Sequence, residues 1–165
     1  MGKFLPPKDI KRICCIGAGY VGGPSMAVIA ENCPHITVTI VDINEERIQS
    51  WNSDNFEELP VFEPGLKEII KKNRGKNLFF SNNVQKEIEA SDMIFLCVNT
   101  PTKIKGIGAG KASDLKWLEI CANEISTYAK KNTIIVEKST VPVKTAEILE
   151  EILSDLLAKK FIELE

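Results

Sequence analysis

Histidine is almost absent from this sequence, with one residue, His35, in 165. A lone imidazole without a neighbouring ligand set does not make a metal site, and none is expected. A basic excess is absent too. The 21 Lys and Arg against 23 Asp and Glu leave a net charge of −2. That removes the usual electrostatic footprint of nucleic-acid or anionic-lipid binding, and neither partner is expected. No apolar run approaches the roughly 20 residues that span a bilayer. The opening MGKFLPPKD is too short and too polar for a secretory signal, and Gly2 lacks the Ser or Thr that a myristoylation motif places downstream. No CxxC pair occurs among the five cysteines, Cys14, Cys15, Cys33, Cys97 and Cys121. Their number is odd, and Cys14, Cys15 and Cys97 fall in apolar runs. They read as small buried residues of a protein in a reducing cytoplasm. Internal repeats and low-complexity segments are missing as well.

What is present suits one soluble globular domain: 44% hydrophobic and 27% charged residues in 165. Residues 1–10 read as a leader and 11–165 as the domain. Its centre is Lys11 to Asp42. An apolar run from Ile13 to Ile16 meets Gly17-Ala18-Gly19-Tyr20-Val21-Gly22. A helical pattern follows, with Val21, Met26, Val28, Ile29 and Ala30 among its apolar positions. A β-branched run, Ile36 to Val41, then ends on Asp42. Each part suits a dinucleotide. Gly17 permits the tight turn out of the strand, Gly19 lets a pyrophosphate approach the backbone, and Gly22 lets the helix pack close to the strand. The helix N-terminus offers free N–H groups to phosphates. Asp42, 20 residues after Gly22, stands where a carboxylate meets the adenosine ribose hydroxyls. A glycine-rich turn alone is weak; strand, helix, second strand and terminal acid together carry the reading.

The remaining chain continues the alternation. Strands are expected at Arg12–Ile16, Thr37–Val41, Leu78–Ser81, Met93–Val98 and Thr133–Val136. Helices are expected at Val21–Cys33, after Asn44 to about Trp51, at Leu66–Asn73, at Asn83–Ala90, after Asp114, and from Val141-Pro142 onward. This predicts an α/β fold, a Rossmann-like doubly wound parallel sheet of about five strands in the order 3-2-1-4-5. The ligand crevice then lies beyond strands one and four, where Gly17–Gly22, Val98–Thr102 and Lys138–Val141 converge.

At this point the motifs CCIGAGYVGGP, VDIN, FEPGLKE, RGKNLFFS, VNTPTK, GAGKASDL and VEKSTVPVKTAE can be taken together. In this order and at these spacings the chain resembles the N-terminal half of the UDP-glucose 6-dehydrogenase family, its eukaryotic-type branch most. The resemblance covers about Lys11 to Ile152. It implies NAD as cofactor and the NAD-dependent oxidation of UDP-glucose to UDP-glucuronate. It further implies that Gly17, Ala18, Gly19, Tyr20, Val21 and Gly22 bind the pyrophosphate. Asp42 would bind the ribose, with Arg47 near the adenosine end. Val98, Asn99, Thr100, Pro101 and Thr102 would line the nicotinamide side. Ser139, Thr140 and Val141 would approach the reacting centre, with Thr140 in a supporting catalytic role.

Plainer readings stand beside these. Arg47 also suits a solvated helix face. Thr100-Pro101-Thr102 also suits a strand-exit turn, and Ser139 or Thr140 a helix cap before Pro142. Glu63-Pro64-Gly65 reads as a helix start, Lys103, Lys105 and Lys111 as solvent-facing, and Trp51 and Trp117 as packing residues. The family's catalytic thiol belongs to a GGxCFPKD-type motif that this sequence lacks, so none of the five cysteines is read as a nucleophile. The NPEFLAEG segment, the central helix and the UDP-sugar domain are missing too, and FIELE stands at the end. The expectation is that this chain alone binds NAD without turning over UDP-glucose, which is a partner only in a complete enzyme. A related dehydrogenase of GDP-mannose or UDP-N-acetylmannosamine, or a non-catalytic NAD-binding module, are the alternatives. Without a sixth strand, Thr133–Val136 is expected to be an open edge that self-associates or pairs with Phe161–Leu164.

Overall fold

The computed structural model describes residues 9–102, 104, 114–130, 133–139, 145, 147 and 149–154. In chain order the elements are β1 (Arg12–Ile16), α1 (Gly22–Asn32), β2 (Thr37–Val41), α2 (Glu45–Asn52), a short 3-10 turn (Phe56–Glu58), α3 (Leu66–Asn73), β3 (Leu78–Ser81), α4 (Val84–Ala90), β4 (Met93–Leu96), α5 (Lys116–Tyr128) and β5 (Ile134–Glu137). All described strand pairs are parallel, in the order β3-β2-β1-β4-β5. The expected order is the observed one.

Register explains where a site can form. Ile16 of β1 pairs with Val41 of β2 and with Leu96 of β4, so the three central strands finish level. The three following loops therefore leave the sheet side by side. A parallel sheet needs cover on both faces, and period-two alternation sends neighbouring side chains to opposite layers. Ile13 and Cys15 face a core shared with Met26, Ala27 and Ala30 of α1 and with Trp51, Leu66 and Ile70. Cys14 and Ile16 face a second core built with Ile88 of α4, Leu118, Ala122 and Ile125 of α5, and Leu149.

Local chemistry sets the ends. Gly75 takes a positive φ of 78°, closing the turn after α3. Asn77, buried beside it, donates to the carbonyls of Ala30 and Ile36 at 2.8 and 3.3 Å, tying that turn to the exit of α1. At the same end of the sheet, Asp92 Oδ2 accepts the N–H groups of Lys11 and Arg12, both at 3.0 Å, and fixes the entry of β1.

Some boundaries differ from expectation. Helix α1 begins at Gly22 rather than Val21, because the glycine-rich loop still turns at Val21. Its Val28 is exposed, and the buried stripe runs through the small residues Gly23, Ala27 and Ala30 with Met26. Strand β4 ends at Leu96, two residues early, and β5 is shifted one residue on, to Ile134–Glu137. Residues 1–8 of the leader, the start of the last helix and the Phe161–Leu164 tail lie outside the described residues. Among the described residues β5 pairs with β4 alone, and no helix is long and apolar enough to cross a membrane.

Candidate functional site

The glycine-rich loop is forced by contact, not by composition alone. Gly17 has φ +113°, and a Cβ there would lie 2.3 Å from the carbonyl oxygen of Cys97. Its N–H continues the sheet by donating to Val41 at 2.8 Å. At Gly22 a Cβ would lie 1.9 Å from the Gly17 carbonyl oxygen, so the loop closes onto the first turn of α1. Gly19 is different. A Cβ there meets nothing within 4 Å. The space beside Gly19 belongs to the cleft, which is where a pyrophosphate would need it.

Helix α1 starts without protection. Its N-cap residue is Val21, no side chain caps the first turn, and no acid lies in that turn. The Gly23 N–H donates to the Gly19 carbonyl at 2.9 Å and Pro24 has no N–H, so what this helix start turns toward the cleft is chiefly its partial positive charge.

Asp42 stands across the loop, 8% exposed. Its Oδ2 accepts the Ala18 N–H at 2.9 Å and Arg47 Nη1 at 3.0 Å, while Oδ1 accepts the Asn44 N–H at 2.9 Å. An ionised carboxylate offers about four acceptor positions. Three are used, and the one left on Oδ1 is available to a ribose hydroxyl. Arg47, open between a solvated and a site role in the sequence, is paired to Asp42 at the cleft wall.

The cleft measures about 730 Å³. Gly17 to Val21, Asp42 and Arg47 form one side, and Val98, Asn99, Thr100, Pro101 and Ser139 the other. Ser139 donates its hydroxyl to the Leu96 carbonyl at 3.3 Å, and its N–H goes to Glu137 Oε1. The Asp114 N–H donates to Pro101 at 2.6 Å, anchoring the far end of the glycine-containing loop to the strand exit. Gly22 and Thr102 are not on the cleft surface; Gly22 acts through the packing just described. Thr140 and Val141 lie outside the described residues.

Two tryptophans depart from a plain packing role. Trp117, on α5, is 43% exposed and lines the cleft with Ile120, Cys121 and Glu124. Trp51 is fully buried as expected, yet its indole N–H donates to the Ala18 carbonyl of the glycine-rich loop at 2.9 Å. Sequence reasoning missed that bond. The available hint was the doublet Gly22-Gly23, since Gly23 leaves the room that the Trp51 ring fills.

The cysteines differ in their surroundings. Burial pushes the Cys121 thiol up to about 12 and raises Cys14 as well. A shared hydrogen bond holds the proton on Cys15 and lowers its neighbour Cys97. Among the described residues no cluster of three or more His, Cys, Asp and Glu could hold a metal ion, and His35 is exposed.

A glycine-rich turn from β1 into a helix without a side-chain cap, with an acid just after β2, defines a dinucleotide-binding domain of the Rossmann class. The model of the UDP-glucose/GDP-mannose dehydrogenase family, NAD binding domain, matches residues 11–164. The chain belongs to that family, as its NAD-binding domain. UDP-glucose 6-dehydrogenase 1 of Arabidopsis thaliana is 58% identical over 143 residues, which are 87% of this chain and 29% of that protein. UDP-glucose 6-dehydrogenase 3 of Oryza sativa subsp. japonica is 59% identical over the same shares. The chain thus spans under a third of the length of these relatives. Among solved structures, a ternary complex of GDP-mannose dehydrogenase from Pseudomonas aeruginosa superposes with a TM-score of 0.72 at 27% identity, over 88% of this chain and 32% of that one. A UDP-N-acetylmannosamine-type dehydrogenase from Pyrococcus horikoshii gives 0.72 at 26% identity, over the same shares.

Proposed function

We propose that NAD lies in this cleft with its pyrophosphate on Gly19 and the start of α1, and its adenosine ribose on the free lone pair of Asp42 Oδ1. Val98 to Pro101 and Ser139 then line the nicotinamide side. Thr102, Thr140 and Val141 complete this group by resemblance. Residues 11–165 act as one NAD-binding domain. The observation that carries the assignment is the pairing of an open Gly19 with an uncapped α1.

Bound NAD supplies a hydride acceptor. The chain's own residues bind and orient it. Gly17 and Gly22 shape the loop, the start of α1 offers its partial positive charge to the phosphates, and Asp42 reads the ribose. The same carboxylate disfavours NADP, because a 2′-phosphate beside it meets like charge and displaces a hydrogen bond. Arg47 offsets this only in part, since it is already paired to Asp42.

The reaction served is the NAD-dependent oxidation of UDP-glucose to UDP-glucuronate. Identity near 58% to UDP-glucose 6-dehydrogenases, against 26–27% to the GDP-mannose and UDP-N-acetylmannosamine enzymes, favours that nucleotide sugar. The 165-residue chain provides the cofactor half. It binds NAD and produces no NADH from UDP-glucose by itself. Self-association through β5 and residence in the cytoplasm, where its five unpaired cysteines stay reduced, complete the proposal.

The test is calorimetric titration of the 165-residue chain with NAD and NADP, beside a Gly19→Val variant. The added side chain enters empty space, so the variant keeps the wild-type melting temperature and loses NAD binding. Retained NAD binding in Gly19→Val, or tighter binding of NADP than of NAD, overturns the assignment.

A further inference from the structure

Trp51 sits on α2, a mostly polar helix, yet its indole is completely buried. It is held from several directions. Its ring stacks on Phe80 with centroids 4.9 Å apart and planes 6° from parallel. Its carbonyl accepts Arg74 Nη1 at 2.9 Å. Gly23 makes the space, since a Cβ there would lie 2.3 Å from the ring. Held this way, the indole N–H meets the Ala18 carbonyl at 2.9 Å. The N–H of Ala18 meanwhile goes to Asp42 Oδ2 at 2.9 Å. Ala18 is therefore anchored at both of its peptide groups.

The consequence follows from peptide geometry. The Ala18 carbonyl and the Gly19 N–H belong to one planar unit, and no described peptide bond is cis. In a trans peptide the C=O and N–H point in opposite directions. With the carbonyl drawn toward the buried indole, the Gly19 N–H is turned away from it, toward the cleft that Gly19 lines. Rotation of this one peptide would instead aim a carbonyl oxygen at the cleft, where it would repel a phosphate.

We propose that Trp51 is a positioning residue for the cofactor: its indole N–H locks the Ala18–Gly19 peptide so that an N–H, not a carbonyl, faces the pyrophosphate. This rests on the assignment of the cleft to NAD. Trp51 touches no part of the ligand itself. Its effect should therefore fall on the phosphates and spare the adenosine end.

The experiment compares ADP-ribose with adenosine, which lacks the phosphates, in calorimetric and NMR titrations of the 165-residue chain. Trp51→Phe keeps an aromatic ring on Phe80 and removes the donor. The expected result is roughly tenfold weaker ADP-ribose binding, the scale of one lost hydrogen bond, with adenosine binding within about twofold of wild type. Equal losses for both ligands would mean general loosening and overturn the proposal, as would no loss for either. If wild type itself fails to bind ADP-ribose, the NAD assignment falls and this inference with it. If wild type binds and Trp51→Phe binds equally well, only the role of Trp51 falls. Should Trp51→Phe not fold, the indole N–H resonance of Trp51 in the wild-type chain decides. It should shift with ADP-ribose and stay put with adenosine; a resonance unmoved by ADP-ribose overturns the proposal.

Discussion

Helices α1 and α2 both begin at the same edge of the sheet, one after β1 and the other after β2, yet their first turns are finished in opposite ways. At α2, Asn44 caps the helix by accepting the Arg47 N–H at 2.9 Å, and Glu45 and Glu46 sit in the first turn. Helix α4 is built like α2, with Asn83 accepting the Lys86 N–H at 3.2 Å and Glu87 close behind. Helix α1 has neither device. An N-cap is worth about 1 kcal/mol and a first-turn acid a few tenths more. The chain uses that stabilisation where a helix only has to fold. Helices α3 and α5 also lack a side-chain cap, but each carries an acid, Glu68 or Glu119, in its first turn; among the described α-helices, α1 alone has neither. The difference supports the proposal that α1 meets a ligand while α2 serves the scaffold.

The largest effect is expected from closing the loop sterically. Gly22→Ala places a Cβ 1.9 Å from the Gly17 carbonyl oxygen, an overpacking that costs roughly 1–3 kcal/mol, and NAD binding should disappear with it. Urea melts together with NAD calorimetry check both. Normal binding in this variant would erase the distinction between a packing glycine at 22 and a ligand glycine at 19. Asp42→Ala comes next. It strands the buried Ala18 N–H, at a cost of about 1–3 kcal/mol. It should also weaken NAD binding and narrow the gap between NAD and NADP, as competitive titration would read. Asn83→Ala sharpens the contrast from the scaffold side. It should lower stability by about 1 kcal/mol while the NAD dissociation constant stays at the wild-type value.

The smallest effect is electrostatic and remote from the cleft. Hydrogen bonds from Lys72 and Asn73 hold the Glu31 carboxyl below the ordinary glutamate range. A depressed carboxyl contributes stability that is present above its unfolded pKa and is lost as pH falls through the lower folded value. Lys72→Ala should raise the Glu31 titration midpoint in an NMR pH series and leave NAD affinity alone.

The sheet order and the shape of the glycine-rich loop were legible in the sequence because both rest on local patterns. Ile13–Ile16, Thr37–Val41 and the Gly17, Gly19, Gly22 spacing each carry their physics within a few residues. The position of Asp42 was legible for the same reason, as the residue that follows β2. Arg47 was not settled by its own sequence, since a helix-face arginine is solvated or paired according to what lies across from it. The structure puts Asp42 there. Trp51 and Trp117 were both read as packing residues. One instead donates across 33 residues to Ala18 and the other stands half-open on the cleft. Those outcomes depend on which side of α2 meets the glycine-rich loop and which side of α5 meets the cleft, information that exists only after the layers assemble. Val28 went the other way, an apolar residue on the outer face of α1, because small residues rather than branched ones let that helix approach the sheet.

The central claim is that α1 is left uncapped so that a pyrophosphate can cap it. Val21→Asp tests this most directly, because it puts a capping side chain and a negative charge at the α1 N-cap, the position Asn44 holds in α2. The measurement is a thermal melt of the ligand-free chain paired with calorimetric titration of NAD. The account predicts that the two move in opposite directions: stability unchanged or higher by up to about 1 kcal/mol, and NAD binding weaker by roughly tenfold or more, as expected for a carboxylate placed against a phosphate at close range. NAD binding undiminished in a folded Val21→Asp chain would contradict it.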